Sequence, residues 1–212
     1  MTGALTGPDL APALTVHPAA ETKAVALVLP GGRADSFEPT QSRHLSAVRM
    51  RPIARALHRA GRSRGLAVWL VRYRYRGWNG TEMSPVADVQ WTLQAVRQRH
   101  GEVPIVLVGH SMGGRTALRV AGGESVRGVA ALAPWLPDGE PVEQLAGREI
   151  LIVHGQLDRV TSPRASRRYA ERARSAATAV DYVTVRGDTH AMLARARLWH
   201  RLATRFTLRL LD

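Results

Sequence analysis

The most chemically suggestive pattern in this sequence is a serine, Ser111, with a glycine two residues away on each side. Gly109-His-Ser-Met-Gly113 follows a short apolar run, Ile105 to Val108, and precedes a stretch rich in small residues. Such a run is typical of a strand buried on both faces, so the pattern predicts a strand, a sharp turn and a helix. A serine on this turn needs a strained backbone, and glycines at both flanks remove the side chains that would crowd it.

The residues Gly109 to Gly114 resemble the nucleophile elbow of the α/β-hydrolase superfamily. The resemblance runs from Lys23 to the C-terminal helix, and it is to small single-domain serine esterases and dienelactone-hydrolase-like proteins. The chain has no cysteine, so the dienelactone hydrolases that use a cysteine nucleophile are not a mechanistic match. Taken alone, the glycine pattern also fits a strand-to-helix turn that uses glycines only for packing.

Two later segments extend the resemblance to a catalytic triad. Val153-His-Gly-Gln-Leu-Asp-Arg-Val160 is similar to the H-G-x-x-D-x-x-V of the family, which places Asp158 at the position of the triad acid. Arg186-Gly-Asp-Thr-His190 follows the last predicted strand and places His190 at the position of the triad histidine. The order Ser111, Asp158, His190 is that of this superfamily. Because each candidate follows a strand, the carboxyl edge of a parallel sheet could bring all three together.

The resemblance implies a role for each candidate. Ser111 would be the nucleophile, His190 would accept its proton, and Asp158 would hold the imidazole in the required tautomer. The backbone amides of Gly32 and Met112 would form the oxyanion hole, although Pro30 stands where many members of the family have histidine. An ordinary glycine turn remains the alternative for this loop.

Other residues compete for some of these roles. Asp138 or Glu140 could replace Asp158 as the acid, whereas Asp188 lies too near His190 in sequence to be an easy partner. Arg33 and Trp78 are candidate substrate-binding residues, because both follow strands at the edge that carries the elbow. For Trp78, packing over its own loop is an equally good interpretation.

The predicted elements indicate an α/β fold of three layers. We expect one doubly wound, mostly parallel sheet of about six or seven strands, with helices on both faces. Residues 1–22 are predicted to be a flexible lead-in, in which Leu14 to His17 could add an edge strand, and residues 23–212 a single domain. Pro134 to Arg148 is too short for more than one small helix, so we expect no cap domain.

The net charge of +13 raises the question of an anionic partner. Lys23 is the only lysine, and arginines are spread along the chain rather than interleaved with aromatic residues. We interpret this as a compositional bias on a solvated surface and expect no nucleic-acid partner. We also expect no metal, no other cofactor, no integral membrane segment and a cytoplasmic location, and the sequence leaves the oligomeric state open.

These observations predict a serine hydrolase that cleaves carboxylic esters, or thioesters, of small or exposed substrates through an acyl-enzyme on Ser111. Two alternatives stay open. One is an acyltransferase that uses the same three residues, and the other is a non-catalytic protein of this fold that binds an anionic ligand or partner through its arginines.

Overall fold

A single seven-stranded sheet forms the centre of the molecule. The computed structural model describes residues 11–211. The strands lie side by side in the order β1, β3, β2, β4, β5, β6, β7, and all pairs are parallel except β1 with β3. Their bounds are β1 Ala13–His17, β2 Ala24–Leu29, β3 Leu66–Arg72, β4 Ile105–His110, β5 Val126–Leu132, β6 Glu149–Gly155 and β7 Ala179–Val185. The predicted α/β class, strand number and mostly parallel arrangement are confirmed.

In the part of the chain that the structure describes, five α-helices cover the two faces of the sheet. They are α1 Leu45–Gly61, α2 Ser84–His100, α3 Met112–Arg119, α4 Pro163–Ala173 and α5 Ala196–Arg209. Residues of α2, α3 and α4 join one hydrophobic core, and residues of α1 and α5 join the other. Within residues 11–211, no helix combines the length and the apolar character that crossing a membrane requires.

The central strands show why two layers of helices are needed. Every residue of β2 and of β4 is buried. Along β2, Val25, Leu27 and Leu29 contribute to the first core, whereas Ala24, Ala26 and Val28 contribute to the second. Because successive side chains of a strand point to opposite faces, a run that is apolar at every position needs cover on both sides.

The strand ends that carry the candidate residues are level with one another. Near the carboxyl ends, Leu29 of β2 is paired with Gly109 of β4, and His110 is paired with Leu132 of β5. Gly155 of β6 is likewise paired with Val185 of β7. The loops that follow β2, β4, β6 and β7 therefore emerge at one edge of the sheet.

Within residues 11–211, no cap domain covers this edge. The connection between β5 and β6 has a single short 3-10 turn, Glu143–Leu145, as regular structure. The expectation of a cap-free fold is confirmed.

Part of the predicted lead-in forms the edge strand suggested for Leu14 to His17. Residues 13–17 form β1, which pairs antiparallel with the outer edge of β3, and Leu14 and Val16 pack against the first core. Edge pairing satisfies backbone groups of β3 that would otherwise have no strand partner, which is why this segment is ordered. Residues 1–10 of the lead-in lie outside the described part of the chain, and the division of the chain at residue 23 stays a prediction.

The last helix begins only after a turned loop that follows His190. Met192 in this loop has a φ of 58°, and α5 starts at Ala196. The buried carboxylate of Asp188 fixes this start, because it accepts hydrogen bonds from the Arg195 amide and from the indole nitrogen of Trp199. These bonds hold the residues after His190 as a turned loop.

Candidate active site

Ser111 lies on a sharp turn between β4 and α3. Its φ of 56° and ψ of −119° are strained for a residue with a side chain. A Cβ on Gly109 would lie 2.1 Å from the carbonyl oxygen of Gly113, and a Cβ on Gly113 would lie 2.2 Å from that of Leu29. Neither position can hold a larger residue without movement of the backbone, which explains the two glycines of the motif.

The three predicted triad side chains form one chain of hydrogen bonds. The Ser111 hydroxyl lies 3.1 Å from Nε2 of His190, and Nδ1 of His190 lies 2.8 Å from Oδ2 of Asp158. The Asp158 side chain is fully buried, while that of His190 is 13 % exposed. An ionised carboxylate accepts the proton on Nδ1, so the lone pair of Nε2 faces the serine hydroxyl.

Asp158 is held by more donors than His190 alone. One oxygen accepts from the amides of Val160 and Thr161 at 2.8 and 2.9 Å. The other also accepts from the Thr161 hydroxyl at 2.9 Å and from Nε2 of His154 at 3.1 Å. Burial would raise the pKa of Asp158, but the hydrogen bonds from His154, His190 and these amides hold it well below its usual value. The carboxylate therefore stays ionised beside the imidazole.

The other acids considered from the sequence are occupied elsewhere. Asp188 points toward the start of α5, and Asp138 pairs with exposed Arg168 at 3.0 Å. Glu140 is buried and pairs with Arg115 and Arg119. Within residues 11–211, no group of three or more metal-ligating side chains is gathered as a metal site would require.

The contacts of Thr161 and His154 with the site were not predicted from the sequence. Thr161 touches both the acid and the imidazole, with its hydroxyl oxygen 3.1 Å from Nδ1 of His190. Nδ1 of His154 lies 2.9 Å from the Ser166 hydroxyl, which leaves its Nε2–H for Asp158. The only feature of the sequence that points to His154 is its place in the motif from Val153 to Val160.

His110 forms a hydrogen bond with the backbone of the loop that carries His190. Its Nε2 lies 3.0 Å from the backbone oxygen of His190, and the two rings lie 4.7 Å apart. Burial lowers the pKa of His110 to about 3, with a further contribution from the charge of His190. A neutral ring donates this hydrogen bond without placing a positive charge next to His190.

The candidate oxyanion donors lie beside the serine. Met112 begins α3, and a Cβ on Gly32 would lie 2.4 Å from the terminal methyl of the Met112 side chain. A Cβ on Gly31 would lie 3.2 Å from that of Ser111. Among the described residues, neither the Gly32 amide nor the Met112 amide donates to a backbone oxygen outside the regular helices and strands. The assignment of these two amides as oxyanion donors stays a prediction.

The structure separates the two predicted substrate-binding residues. Arg33 is exposed and lines a cleft of about 520 Å³ together with Gly31 and Gly32. Trp78 is only 3 % exposed, and the Arg115 guanidinium lies 3.7 Å from the centre of its ring. Its side chain belongs to the first core, so the packing interpretation describes Trp78 better than the substrate-binding one.

Comparison with known families agrees with this architecture. The family model described as alpha/beta hydrolase fold matches residues 25–165, more than half of the chain. The chain belongs to the α/β-hydrolase fold family. A search of curated proteins finds no match for this α/β hydrolase.

Solved structures similar to this α/β hydrolase share its fold at low sequence identity. A thermophilic esterase from Thermogutta terrifontis has a TM-score of 0.72 at 18 % identity, over 96 % of this chain and 91 % of that one. An alpha-beta serine hydrolase homologue from Coxiella burnetii has a TM-score of 0.71 at 17 % identity, over 95 % and 94 %. A serine hydrolase without lid from Xanthomonas campestris has a TM-score of 0.66 at 17 % identity, over 93 % and 88 %.

Proposed function

We propose that this α/β hydrolase is a serine hydrolase that cleaves carboxylic esters, or thioesters, through an acyl-enzyme on Ser111. The observation that carries the proposal is the continuous path from the serine hydroxyl through His190 to the buried carboxylate of Asp158. A serine is a weak nucleophile unless a positioned base takes its proton, and this path supplies the base.

The first half-reaction would proceed by attack of the Ser111 oxygen on the ester carbonyl. The hydroxyl proton passes to Nε2 of His190 as the new carbon–oxygen bond forms, and the imidazolium is stabilised by Asp158. The negative charge on the former carbonyl oxygen is accepted by the amides of Gly32 and Met112. Loss of one such donor typically costs about 3 to 4 kcal/mol of transition-state stabilisation.

The first half-reaction ends when His190 gives its proton to the leaving alcohol or thiol as the bond to that group breaks, which leaves the acyl group on Ser111. The second half-reaction would restore the enzyme. His190 then removes a proton from water, whose oxygen attacks the acyl carbon, and the proton returns to Ser111 as the acid departs.

The short connection between β5 and β6 favours water over another acceptor in this second step. Ser111 itself is only 8 % exposed, but Gly32 beside it is exposed, and the connection between β5 and β6 is too short to form a lid. Acyltransferases depend on excluding water from the acyl-enzyme, and this connection supplies no lid that would do so. Small or exposed acyl groups suit this site better than long buried chains.

The proposal is tested with p-nitrophenyl acetate, butyrate and octanoate and with a matched acetyl thioester. We expect wild-type hydrolysis of the short esters, and a fall in kcat of at least about 10³- to 10⁴-fold for Ser111→Ala and His190→Ala. Ser63→Ala removes an exposed hydroxyl before β3 and serves as the control. A wild type that turns over none of the substrates, or a Ser111→Ala variant of unchanged rate, would contradict the proposal.

A further inference from the structure

The cleft beside Gly31 and Gly32 has an unusual lining of positive charge. Its walls include Arg33, Arg43, His44 and Arg76. The first two arginines are exposed, and the Arg76 side chain is 25 % exposed. Because Gly31 approaches Ser111 closely, an ester held at the serine would have one of its arms near this cleft.

Backbone hydrogen bonds join the two loops that carry Arg33 and Arg76. The Arg33 amide donates to the Arg76 carbonyl at 2.8 Å, and the Trp78 amide donates back to the Arg33 carbonyl at 3.0 Å. Further along, the Arg76 amide donates to Glu38, and the Thr40 amide donates to Arg74. The guanidinium groups therefore extend from a fixed backbone rather than from two independent loops, which lowers the cost of ordering them around a ligand.

The turn that carries Arg43 is also fixed. The Gln41 amide donates to Nδ1 of His44 at 3.1 Å, and the Arg51 guanidinium donates to the Ser42 carbonyl at 2.8 Å. The cleft is thus bounded on both sides by backbone that local hydrogen bonds define.

The positive charge of the cleft is only partly neutralised. Glu38 pairs with Arg76, and its side chain is 66 % exposed. Among residues 11–211, no ion pair is found for Arg33 or Arg43. One acid against three arginines leaves a net positive cleft next to the proposed oxyanion donors.

We infer that this cleft binds an anionic group of the substrate, a carboxylate or a phosphate, so that the natural ester carries negative charge near its scissile bond. The inference rests on the proposed function and specifies its substrate class. Arginine suits such a group because its planar guanidinium donates two parallel hydrogen bonds to carboxylate or phosphate oxygens. Arg33 and Arg43 are the predicted specificity-determining residues.

The test compares kcat/KM for matched pairs of anionic and neutral esters. 4-Acetoxybenzoate and its methyl ester place the charge on the alcohol, and mono-p-nitrophenyl adipate and its methyl ester place it on the acyl group. 4-Acetoxyphenyl phosphate and phenyl acetate form the phosphate pair. In at least one pair we expect the anionic ester to be preferred by about tenfold, as charged hydrogen bonds of this kind imply.

The arginine variants decide whether the cleft causes this preference. Arg33→Gln/Arg43→Gln is expected to reduce the anionic-to-neutral ratio by about tenfold. Arg127→Gln removes an exposed arginine from the amino end of β5 and is expected to keep the wild-type ratio. A ratio near one in every wild-type pair, or a preference that the double variant retains, would overturn the inference while leaving esterase activity in place.

A binding measurement separates this inference from the proposed function. Saturation-transfer NMR would follow 4-acetoxybenzoate, 4-acetoxyphenyl phosphate and their neutral counterparts with Ser111→Ala, which does not need turnover. Selective binding of an anion that is lost in Ser111→Ala/Arg33→Gln/Arg43→Gln supports the cleft even if the wild type hydrolyses no ester. Absence of anion binding, or equal binding by both variants, overturns it.

Discussion

Two groups of arginines near Ser111 are held in opposite ways. On the α3 side, the Arg115 side chain is 11 % exposed and both it and Arg119 bond to the buried carboxylate of Glu140. Trp78 and Trp135 lie on the Arg115 guanidinium at 3.7 and 4.5 Å. In this group, the Glu140 cluster, the two guanidinium groups share one buried counter-charge and their positions are fixed.

On the other side, Arg33, Arg43 and Arg76 line an open cleft. Their one carboxylate partner, among the described residues, is the exposed Glu38 on Arg76. The comparison teaches that the surroundings decide what an arginine does in this molecule. An arginine that is paired with a buried carboxylate and covered by aromatic rings joins parts of the fold, whereas an arginine exposed in the cleft near Ser111 is available for a ligand.

The largest expected effect is on the stability contributed by the Glu140 cluster. Glu140→Gln leaves two neighbouring arginines without their buried counter-charge, so we expect the free energy of unfolding to fall by about 3 to 5 kcal/mol. Urea denaturation followed by circular dichroism measures it. Glu38→Gln is the matched control, and its cost should stay below about 1 kcal/mol because the pair is exposed. Equal costs for the two variants would remove the distinction between the two groups.

Salt concentration should affect the arginines of the open cleft more than those of the Glu140 cluster. The screening length shrinks from about 10 Å at 0.1 M salt to about 3 Å at 1 M, and exposed charges are affected most. We expect the anionic-to-neutral ratio of kcat/KM to fall about fivefold between 0.05 and 0.5 M NaCl, since the cleft is open. The stability difference between Glu140→Gln and wild type should change little over the same range. A salt-independent ratio would show that the cleft charges do not act on the substrate.

A smaller effect is expected from Glu38 on the reaction itself. Glu38→Gln frees Arg76 and removes the negative charge nearest the cleft, so the preference for anionic esters should rise by about threefold. Steady-state kinetics on the matched ester pairs measures it, with Glu21→Gln as the control for loss of an exposed carboxylate elsewhere. A decrease in the ratio would mean that Glu38 helps to orient the arginine rather than compete for it.

The smallest effect concerns pH. Burial, together with Arg76 and Arg43, lowers the pKa of His44 below its ordinary 6.5, while Glu38 opposes this and Arg33 adds to it. His44 is therefore mainly neutral at pH 7, and it gains a positive charge mainly as the pH falls below 6.5. We expect the anionic-to-neutral ratio to be flat from pH 8 to pH 6.5 and then to rise by about twofold toward pH 5. His44→Gln should abolish the rise, and a ratio that falls instead would contradict the assignment of His44 to the cleft.

Much of the fold and the convergence of three side chains could be predicted from local patterns. The runs that became β2 and β4 are apolar at almost every position, and the glycines around Ser111 are required by contacts that the elbow always makes. The positions of Asp158 and His190 follow from the strands that precede them. These features depend on short stretches of chain, which is why sequence reasoning reached them.

The remaining features depend on residues far apart in sequence. Trp78 is buried because Arg115, on another element, lies over its ring. The residues of β1 suggest an edge strand, but not that its partner is β3. The start of α5 at Ala196 depends on the hydrogen bond from the Arg195 amide to Asp188. Likewise, the contact of His110 with the His190 loop joins residues 80 positions apart. No local pattern signals such pairings.

Labelling with a fluorophosphonate probe, followed by peptide mass spectrometry, is the most direct test of whether Ser111 is an activated nucleophile. An activated serine forms a stable covalent adduct with the probe, whereas an unactivated hydroxyl does not. We expect one adduct, on the peptide that contains Ser111. It should be absent in Ser111→Ala, and its formation should be strongly slowed in His190→Ala. A folded wild type that never labels, or an adduct on a different serine, would contradict it.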